Sequence, residues 1–292
     1  MDKRISGHTK MLCLIGSPVG HSGSPAMYNF SFQKNGQDMA YLCFDIKEDQ
    51  VPQALDALRL FDVVGFNVTM PCKNAVAKYV DELAPAAKII GAVNTVVNEN
   101  GKLVGHITDG QGFVLNLNEN GIDVKGKNIV VLGAGGAATA IQVECALQGA
   151  ASITVFNGND PFLERARGTK EKLAKETPDV KFEVYCLDEQ DKLKEAIANA
   201  DILANATSVG MAPNVDATPV PDTSVFRPDL VVADAVYNPM VTRFQKEAME
   251  AGCEKVIGGA GMLLWQGAAA YKLYTGVDMP VEEYRQFQKE NQ

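Results

Sequence analysis

A chain of 292 residues with 46% hydrophobic and 22% charged side chains is long enough for two cores of roughly 100 to 200 residues each, and too apolar to remain disordered. Its formal net charge of -9, with no run of Lys and Arg to override the average, excludes nucleic acid as an expected partner. The six cysteines, Cys13, Cys43, Cys72, Cys145, Cys186 and Cys253, stand far apart with no C-x-x-C pair, which argues against a zinc site or disulfide framework and for a reducing, cytoplasmic setting.

Short apolar runs alternate with helical patterns from the start. MLCLIG reads as a first strand rather than a leader. A helix follows from Pro25, then the strand AYLCFDI, a helix over 50–60, the strand VVGFNVTM and a helix over 73–83. This βαβα alternation predicts an α/β domain. Two short strands around VNTVVNENGKLVGHIT come next, joined by a hairpin turn at Asn100-Gly101. The polar stretch 123–127 ends the pattern, and NIVVLGAGGAATAIQVECAL begins another as strand, tight turn and helix. Further strands at ASITVFN, KFEVYCL, ADILANAT and LVVADAV predict a doubly wound parallel sheet. Pro213, Pro219, Pro221 and Pro228 keep helix and central strand out of 211–228. The C-terminal stretch returns to helix, with GMLLWQGAAAYKLYTG suited to packing on either domain. Residues 256–271 are weakly polar, but Gln266 and four glycines interrupt them and they fall short of the ~20 apolar residues that span a bilayer. No membrane partner is expected.

Gly133, Ala134, Gly135, Gly136 and Ala137 follow the strand NIVVL and open a helix. Glycines in that setting permit the tight turn and let backbone N–H groups and the helix N-terminus approach a pyrophosphate, so a dinucleotide is the expected cofactor. The next strand ends at Asn157, where the adenosine ribose should lie. A carboxylate there binds the 2′-hydroxyl of NAD, whereas arginine pairs with the 2′-phosphate of NADP. Gly158 stands in place of arginine and Asp160 follows, which favours NAD, with NADP the alternative. Asp160 is equally suited to capping a helix that begins at Pro161.

Six further stretches hold polar residues where packing alone would not ask for them. They are Gly16-Ser17-Pro18 with His21-Ser22-Gly23-Ser24-Pro25, Asn67-Val68-Thr69-Met70-Pro71-Cys72-Lys73, Gly91-Ala92-Val93-Asn94-Thr95, Thr108-Asp109-Gly110-Gln111-Gly112, Val236-Tyr237-Asn238-Pro239 and Gly261-Met262-Leu263-Leu264-Trp265-Gln266. Together they resemble the shikimate dehydrogenase family over most of the chain. The resemblance implies an α/β protein of two domains: an N-terminal substrate domain, 1–112 with about 258–292, and a doubly wound parallel Rossmann domain, 113–257, with the C-terminal helices packing back on the first. It also implies reversible NAD(P)-dependent oxidation of shikimate to 3-dehydroshikimate, and of quinate to 3-dehydroquinate, by a monomer or homodimer. Two alternatives stand beside it: a sensor of the same fold that binds ring acid and dinucleotide without turnover, and a dehydrogenase for another cyclic hydroxy acid.

The resemblance assigns roles that the residue types can perform. Ser22 and Ser24, two apart on an extended segment, point the same way and suit one carboxylate; Ser24 is also a natural cap for the helix after Pro25. Lys73 sits at a helix start, where a cation opposes the macrodipole by roughly a few tenths of a kcal/mol. In the family the matching lysine is the acid/base group and Asp109 its partner; the plain alternative is a solvated surface lysine. Thr69, Asn94 and Gln266 supply neutral contacts to ring hydroxyls, or else serve turns and caps. Tyr41 offers a further hydroxyl contact, or packs its ring in a strand. Ser208, Val236, Tyr237, Asn238 and Gly259 join Asn157 and Asp160 at the cofactor. His21 and His106 are read as structural, and no His, Cys, Asp and Glu spacing marks a metal site. Two departures affect detail. Gly158 replaces the arginine of NADP-type members, bringing the chain closer to the NAD-accepting quinate/shikimate subgroup, although Thr69 matches the shikimate-specific members. Ile107 stands where asparagine is usual, with the expectation that the ring has one polar neighbour fewer.

Overall fold

The computed structural model describes residues 5–291. The chain divides into two compact units, one taking the N-terminal part up to Thr108 together with the stretch from Gly267, the other Asp109–Gln266. The junctions thus lie at 108/109 and 266/267 rather than at 112/113 and near 258. The reason is close packing through glycine. Helix α5 (Asp109–Glu119) lies against α6 (Gly136–Leu147), where a Cβ on Gly110 would stand 2.3 Å from the Ala140 carbonyl oxygen. The first half of α10 (Gly259–Thr275) lies on α5 in the same way, with a Cβ on Gly112 only 2.5 Å from the Met262 carbonyl oxygen.

The first unit runs β1 (Lys10–Gly16), α1 (Ser24–Lys34), β2 (Met39–Asp45), α2 (Val51–Leu60), β3 (Gly65–Val68), α3 (Lys73–Tyr79), β4 (Glu82–Leu83), α4 (Pro85–Ile90), β5 (Thr95–Glu99) and β6 (Lys102–His106). These strands form a six-stranded sheet ordered β2-β1-β3-β5-β6-β4, parallel from β2 to β3 and antiparallel from β3 through β6. One face buries Cys13, Ile15, Phe66, Val68 and Val96 against Leu55 and Leu58 of α2 and Val76 of α3. Aromatic side chains gather elsewhere in the unit. Tyr28 stacks on Tyr41 at 4.5 Å between ring centroids, and Phe32 on Tyr271 of α10 at 5.5 Å; α11 (Val281–Glu290) adds Tyr284 beside Phe30. The C-terminal helices therefore return to the first unit. Asn100 and Gly101 turn the β5–β6 hairpin with φ of 55° and 93°, the backbone an Asn-Gly pair tolerates best.

The helix expected over 73–83 stops at Tyr79, where Val80 becomes extended. The Asp81 carboxylate accepts from Leu103 N at 2.7 Å and Arg59 Nη2 at 2.8 Å, which draws the chain alongside β6 as the short strand β4.

The second unit continues with α5, β7 (Asn128–Leu132), α6, β8 (Ser152–Asn157), α7 (Pro161–Glu176), β9 (Lys181–Cys186), α8 (Gln190–Ala198), β10 (Ile202–Asn205), β11 (Val231–Asp234), α9 (Arg243–Glu250) and β12 (Lys255–Ile257). Its six strands are all parallel in the order β12-β11-β10-β7-β8-β9. The order reverses between β7 and β10, the switch point of a doubly wound sheet. Strand β12 escapes the sequence reading because three residues carry no periodicity. The proline-rich stretch holds only a single 3-10 turn, Thr223–Val225. Among the described residues no helix is long and apolar enough to cross a membrane, no cluster of His, Cys, Asp and Glu is placed to hold a metal ion, and all six cysteines are free thiols.

Candidate functional site

In the first unit the topology brings the polar motifs to one end of the sheet. Strands β1 and β3 are parallel and finish there, giving way to Ser17–Ser24 and to Thr69–Lys73. Strand β5 runs antiparallel to β3 and so begins at that end, just after Asn94; β6 reverses again and ends there, leading to Thr108 and Asp109. Backbone bonds tie the segments together: Val68 N donates to Asn94 O at 2.7 Å, Val93 N to Lys73 O at 3.0 Å and Thr69 N to Ile15 O at 2.9 Å. Gly16 permits this approach. Its φ is 149°, and a Cβ there would meet Thr69 Cγ2 at 2.4 Å.

Asn94 is 3% exposed. Its Oδ1 accepts from Thr108 N at 2.8 Å and its Nδ2 donates to Thr108 Oγ1 at 3.1 Å, so the amide fixes the residue next to Asp109. Thr69 and Lys73 are half-buried, Lys73 opening α3. Asp109 is half-buried at the start of α5. Ser22 and Ser24 are half-buried, and Ser22 Oγ accepts from Ser24 N at 3.2 Å. Helix α1 has Gly23 as its N-cap and no side-chain capping bond, so the capping role open to Ser24 is not taken. Gln266 is half-buried in α10 with Nε2 on Leu263 O at 3.1 Å.

Two expectations need correction. Tyr41 is 1% exposed, its ring lies on Tyr28 and its hydroxyl donates to Asn67 Oδ1 at 2.7 Å; it is a core residue rather than a ligand contact. Ile107 is 5% exposed within the apolar core, so no polar group is missing there. Asn67 heads one of the six polar stretches, yet the sequence assigns it no role. Besides Tyr41, it bonds Asn94 O at 3.3 Å and Thr95 Oγ1 at 3.1 Å through Nδ2, linking the core to Asn94 by a polar chain through β3 and β5. The stretch names the residue but not its task, because its partners lie across strands. His21 is exposed, and burial pushes the half-buried His106 below its usual value.

The second unit carries the glycine turn where β7 meets α6. Gly133 has φ of 107°, and a Cβ there would stand 2.9 Å from the Ala206 carbonyl oxygen, so the turn presses against the end of β10. Ala134 is fully buried, whereas Gly136 and Ala137 are exposed and Gly135 half-buried. Nothing lies within 4 Å of a Cβ on Gly135 or Gly136, and no side chain caps α6. An uncapped helix start with open space before it fits an anionic diphosphate. Beyond β8, Asp160 caps α7: its Oδ1 accepts from Phe162 N at 2.8 Å and Asn157 Nδ2 at 2.9 Å. Ser208, Tyr237 and Asn238 are exposed in the loops after β10 and β11. Val236 and Gly259 are buried, with Gly259 N donating to Val236 O at 3.3 Å. A Cβ on Gly259 would approach Ala235 O to 2.5 Å, so this glycine serves the packing of α10.

Comparison with known proteins agrees with this arrangement. Residues 14–96 match the family described as the shikimate dehydrogenase substrate binding domain, and residues 259–286 the shikimate 5'-dehydrogenase C-terminal domain. The chain is 46% identical to a shikimate dehydrogenase (NADP(+)) of Streptococcus uberis, over 97% of its own length and 96% of the relative's. It is 42% identical to a quinate/shikimate dehydrogenase of Escherichia coli, over 97% of both chains. The crystal structure of shikimate 5-dehydrogenase from Listeria monocytogenes, in complex with shikimate and NAD, superposes with a TM-score of 0.95 at 42% identity and 99% coverage of each chain. Identity of this extent, running through both units and over nearly all of each relative, means that the chain belongs to the shikimate dehydrogenase family.

Proposed function

We propose that the protein catalyses the reversible NAD(P)-dependent oxidation of shikimate to 3-dehydroshikimate, and accepts quinate as a second substrate, as a cytoplasmic monomer or homodimer. The first unit is the substrate domain and the second binds the dinucleotide. The observation that carries this reading is the gathering of Thr69, Lys73, Asn94 and Thr108 at the single end of the first sheet where its parallel strands finish. Bound to the second unit, the nicotinamide cofactor supplies the hydride acceptor. The first-turn amides of α6 hold its diphosphate, and Ser208, Tyr237 and Asn238 face its nicotinamide half. Ser22 and Ser24 hold the ring carboxylate, while Thr69 and Gln266 bond ring hydroxyls and orient the reacting carbon. Lys73 takes the hydroxyl proton as the hydride departs, and returns it to the forming alkoxide in the other direction. Asp109 is the acid/base partner of Lys73, and Asn94, fixed by its bonds to Thr108, adds a further contact to the ring hydroxyls. Gly158 and Asp160 favour NAD, since a carboxylate suits a free 2′-hydroxyl; the capping bonds fall on Asp160 Oδ1, which leaves Oδ2 for that contact.

Initial rates followed by the absorbance of the reduced nicotinamide, with shikimate and quinate each paired with NAD and NADP, test the whole reading. Lys73→Ala is expected to lower turnover by about 10²-fold or more with cofactor affinity unchanged, the usual size of an acid/base contribution. Near-normal turnover in the variant overturns the role of Lys73. Ligand binding without turnover in all four mixtures of the unmodified protein overturns the activity.

A further inference from the structure

Strands β10 and β11 end side by side at Asn205 and Asp234. Asp234 is 1% exposed, yet every donor to its carboxylate is neutral. Oδ1 accepts from Asn205 Nδ2 at 3.0 Å and Val236 N at 2.9 Å; Oδ2 accepts from Thr242 Oγ1 at 2.5 Å and Gln245 Nε2 at 3.2 Å. An ionised carboxylate offers about four acceptor positions, and all are filled; a proton on either oxygen would displace a donor. Burying a charge without a cation is costly, so stability alone gives little reason for it. The bonds spread into two loops. Asn205 Oδ1 accepts from Thr207 N at 3.1 Å and Thr207 Oγ1 at 2.7 Å, and Thr207 Oγ1 accepts in turn from Val209 N at 3.0 Å. Ala212 N then crosses to Asn238 O at 2.9 Å. The carboxylate is therefore the knot joining 206–212 to 235–239.

A dinucleotide crosses a doubly wound sheet at the switch point, beyond the carboxyl ends of the strands. The glycine turn after β7 and Asp160 after β8 account for the diphosphate and adenosine, which leaves the nicotinamide half over β10 and β11. We infer that Asp234 is a positioning residue that sets both loops for the nicotinamide half of the cofactor, without touching it. This rests on the dinucleotide reading above. The test uses the full chain carrying Asp234→Asn, with Thr242→Val as a milder variant that carries the same comparison should the first not fold. Binding of NADH and NADPH is titrated beside ADP-ribose and its 2′-phosphate, which lack the nicotinamide ring. The expected result is affinity for the whole dinucleotide weakened about tenfold, the size of one buried charged hydrogen bond, with the fragments bound as before. Unchanged affinity for the dinucleotide overturns the inference, as does equal weakening of dinucleotide and fragment, which marks a general structural role. Failure of the unmodified protein to bind any of the four overturns the dinucleotide reading, and the inference with it.

Discussion

Two glycines three residues apart in one turn should respond to the same substitution with opposite signs. At Gly133 alanine must adopt φ of 107°, a strain of about 1–3 kcal/mol for an L-residue. Its methyl would also lie 2.9 Å from the Ala206 carbonyl oxygen, a backbone atom that cannot swing aside; overpacking of this kind adds about 1–3 kcal/mol. Gly133→Ala is therefore expected to destabilise by about 2–6 kcal/mol, a large share of a total that is usually about 5–15 kcal/mol. At Gly136, the first residue of α6, a Cβ meets nothing within 4 Å, and alanine is the better helix former by up to ~1 kcal/mol. Gly136→Ala should stabilise slightly while its methyl, standing before the uncapped helix start, weakens NAD(P)H binding by about tenfold. Urea unfolding followed through Trp265, the one tryptophan and half-buried in α10, reads the stability. Midpoints that move the same way in both variants, or a Gly133→Ala midpoint equal to that of the unmodified protein, would refute the reasoning.

Asp160→Ala should cost about 1 kcal/mol of stability through the lost cap of α7 and weaken NAD more than NADP, checked by thermal unfolding and by titration with each cofactor. Equal weakening leaves only the cap. Glu144 lies 5% exposed in α6, and burial raises its carboxyl above 4.5, against the opposing bond from Gln148. The folded state thus holds this proton to higher pH than the unfolded state, and stability is lost as pH rises from about 4.5 through the raised folded value. Glu144→Gln keeps the acceptor for Gln148 and removes the charge. Urea midpoints followed over a pH series rising from about 4.5 should show the variant gaining on the unmodified protein as the pH rises; a constant difference speaks against a buried charge at Glu144.

The sequence announces features that are local. NIVVL followed by Gly133 to Ala137 requires strand, turn and helix whatever surrounds it, and Asn100-Gly101 names its own hairpin. It hides what depends on residues distant in the chain. Tyr41 carries the same hydroxyl whether it meets a ligand or Asn67, and only the pairing of β1 with both β2 and β3 places Asn67 within its reach. Ile107 reads as a gap in the polar lining of a site because nothing local shows that it faces the core. Asn205 and Asp234 are 29 positions apart, at the ends of two strands that each read as plain apolar runs. Strand β4 reads as the end of a helix because Val80 and Leu83 continue a helical pattern, and the deciding bonds, to Asp81 from Leu103 and Arg59, come from elsewhere in the unit.

The first unit is built from both ends of the chain, with the second spliced between, and this fixes an order of assembly. Asn35 bonds Tyr271 across 236 residues and Tyr28 bonds Gly267 across 239. Closing such a span is an entropic burden that grows slowly with length, and contacts so remote in sequence form late. During synthesis the stretch Asp109–Gln266 is contiguous and can gather itself while residues 267–291 are still unmade. Until those residues arrive, Tyr28, Phe30 and Phe32 lack the rings that later stack on them, and apolar surface waits uncovered near the N-terminus. Strand β1 therefore belongs to the unit that is finished later, and in that interval its aromatic neighbours lie open to other chains.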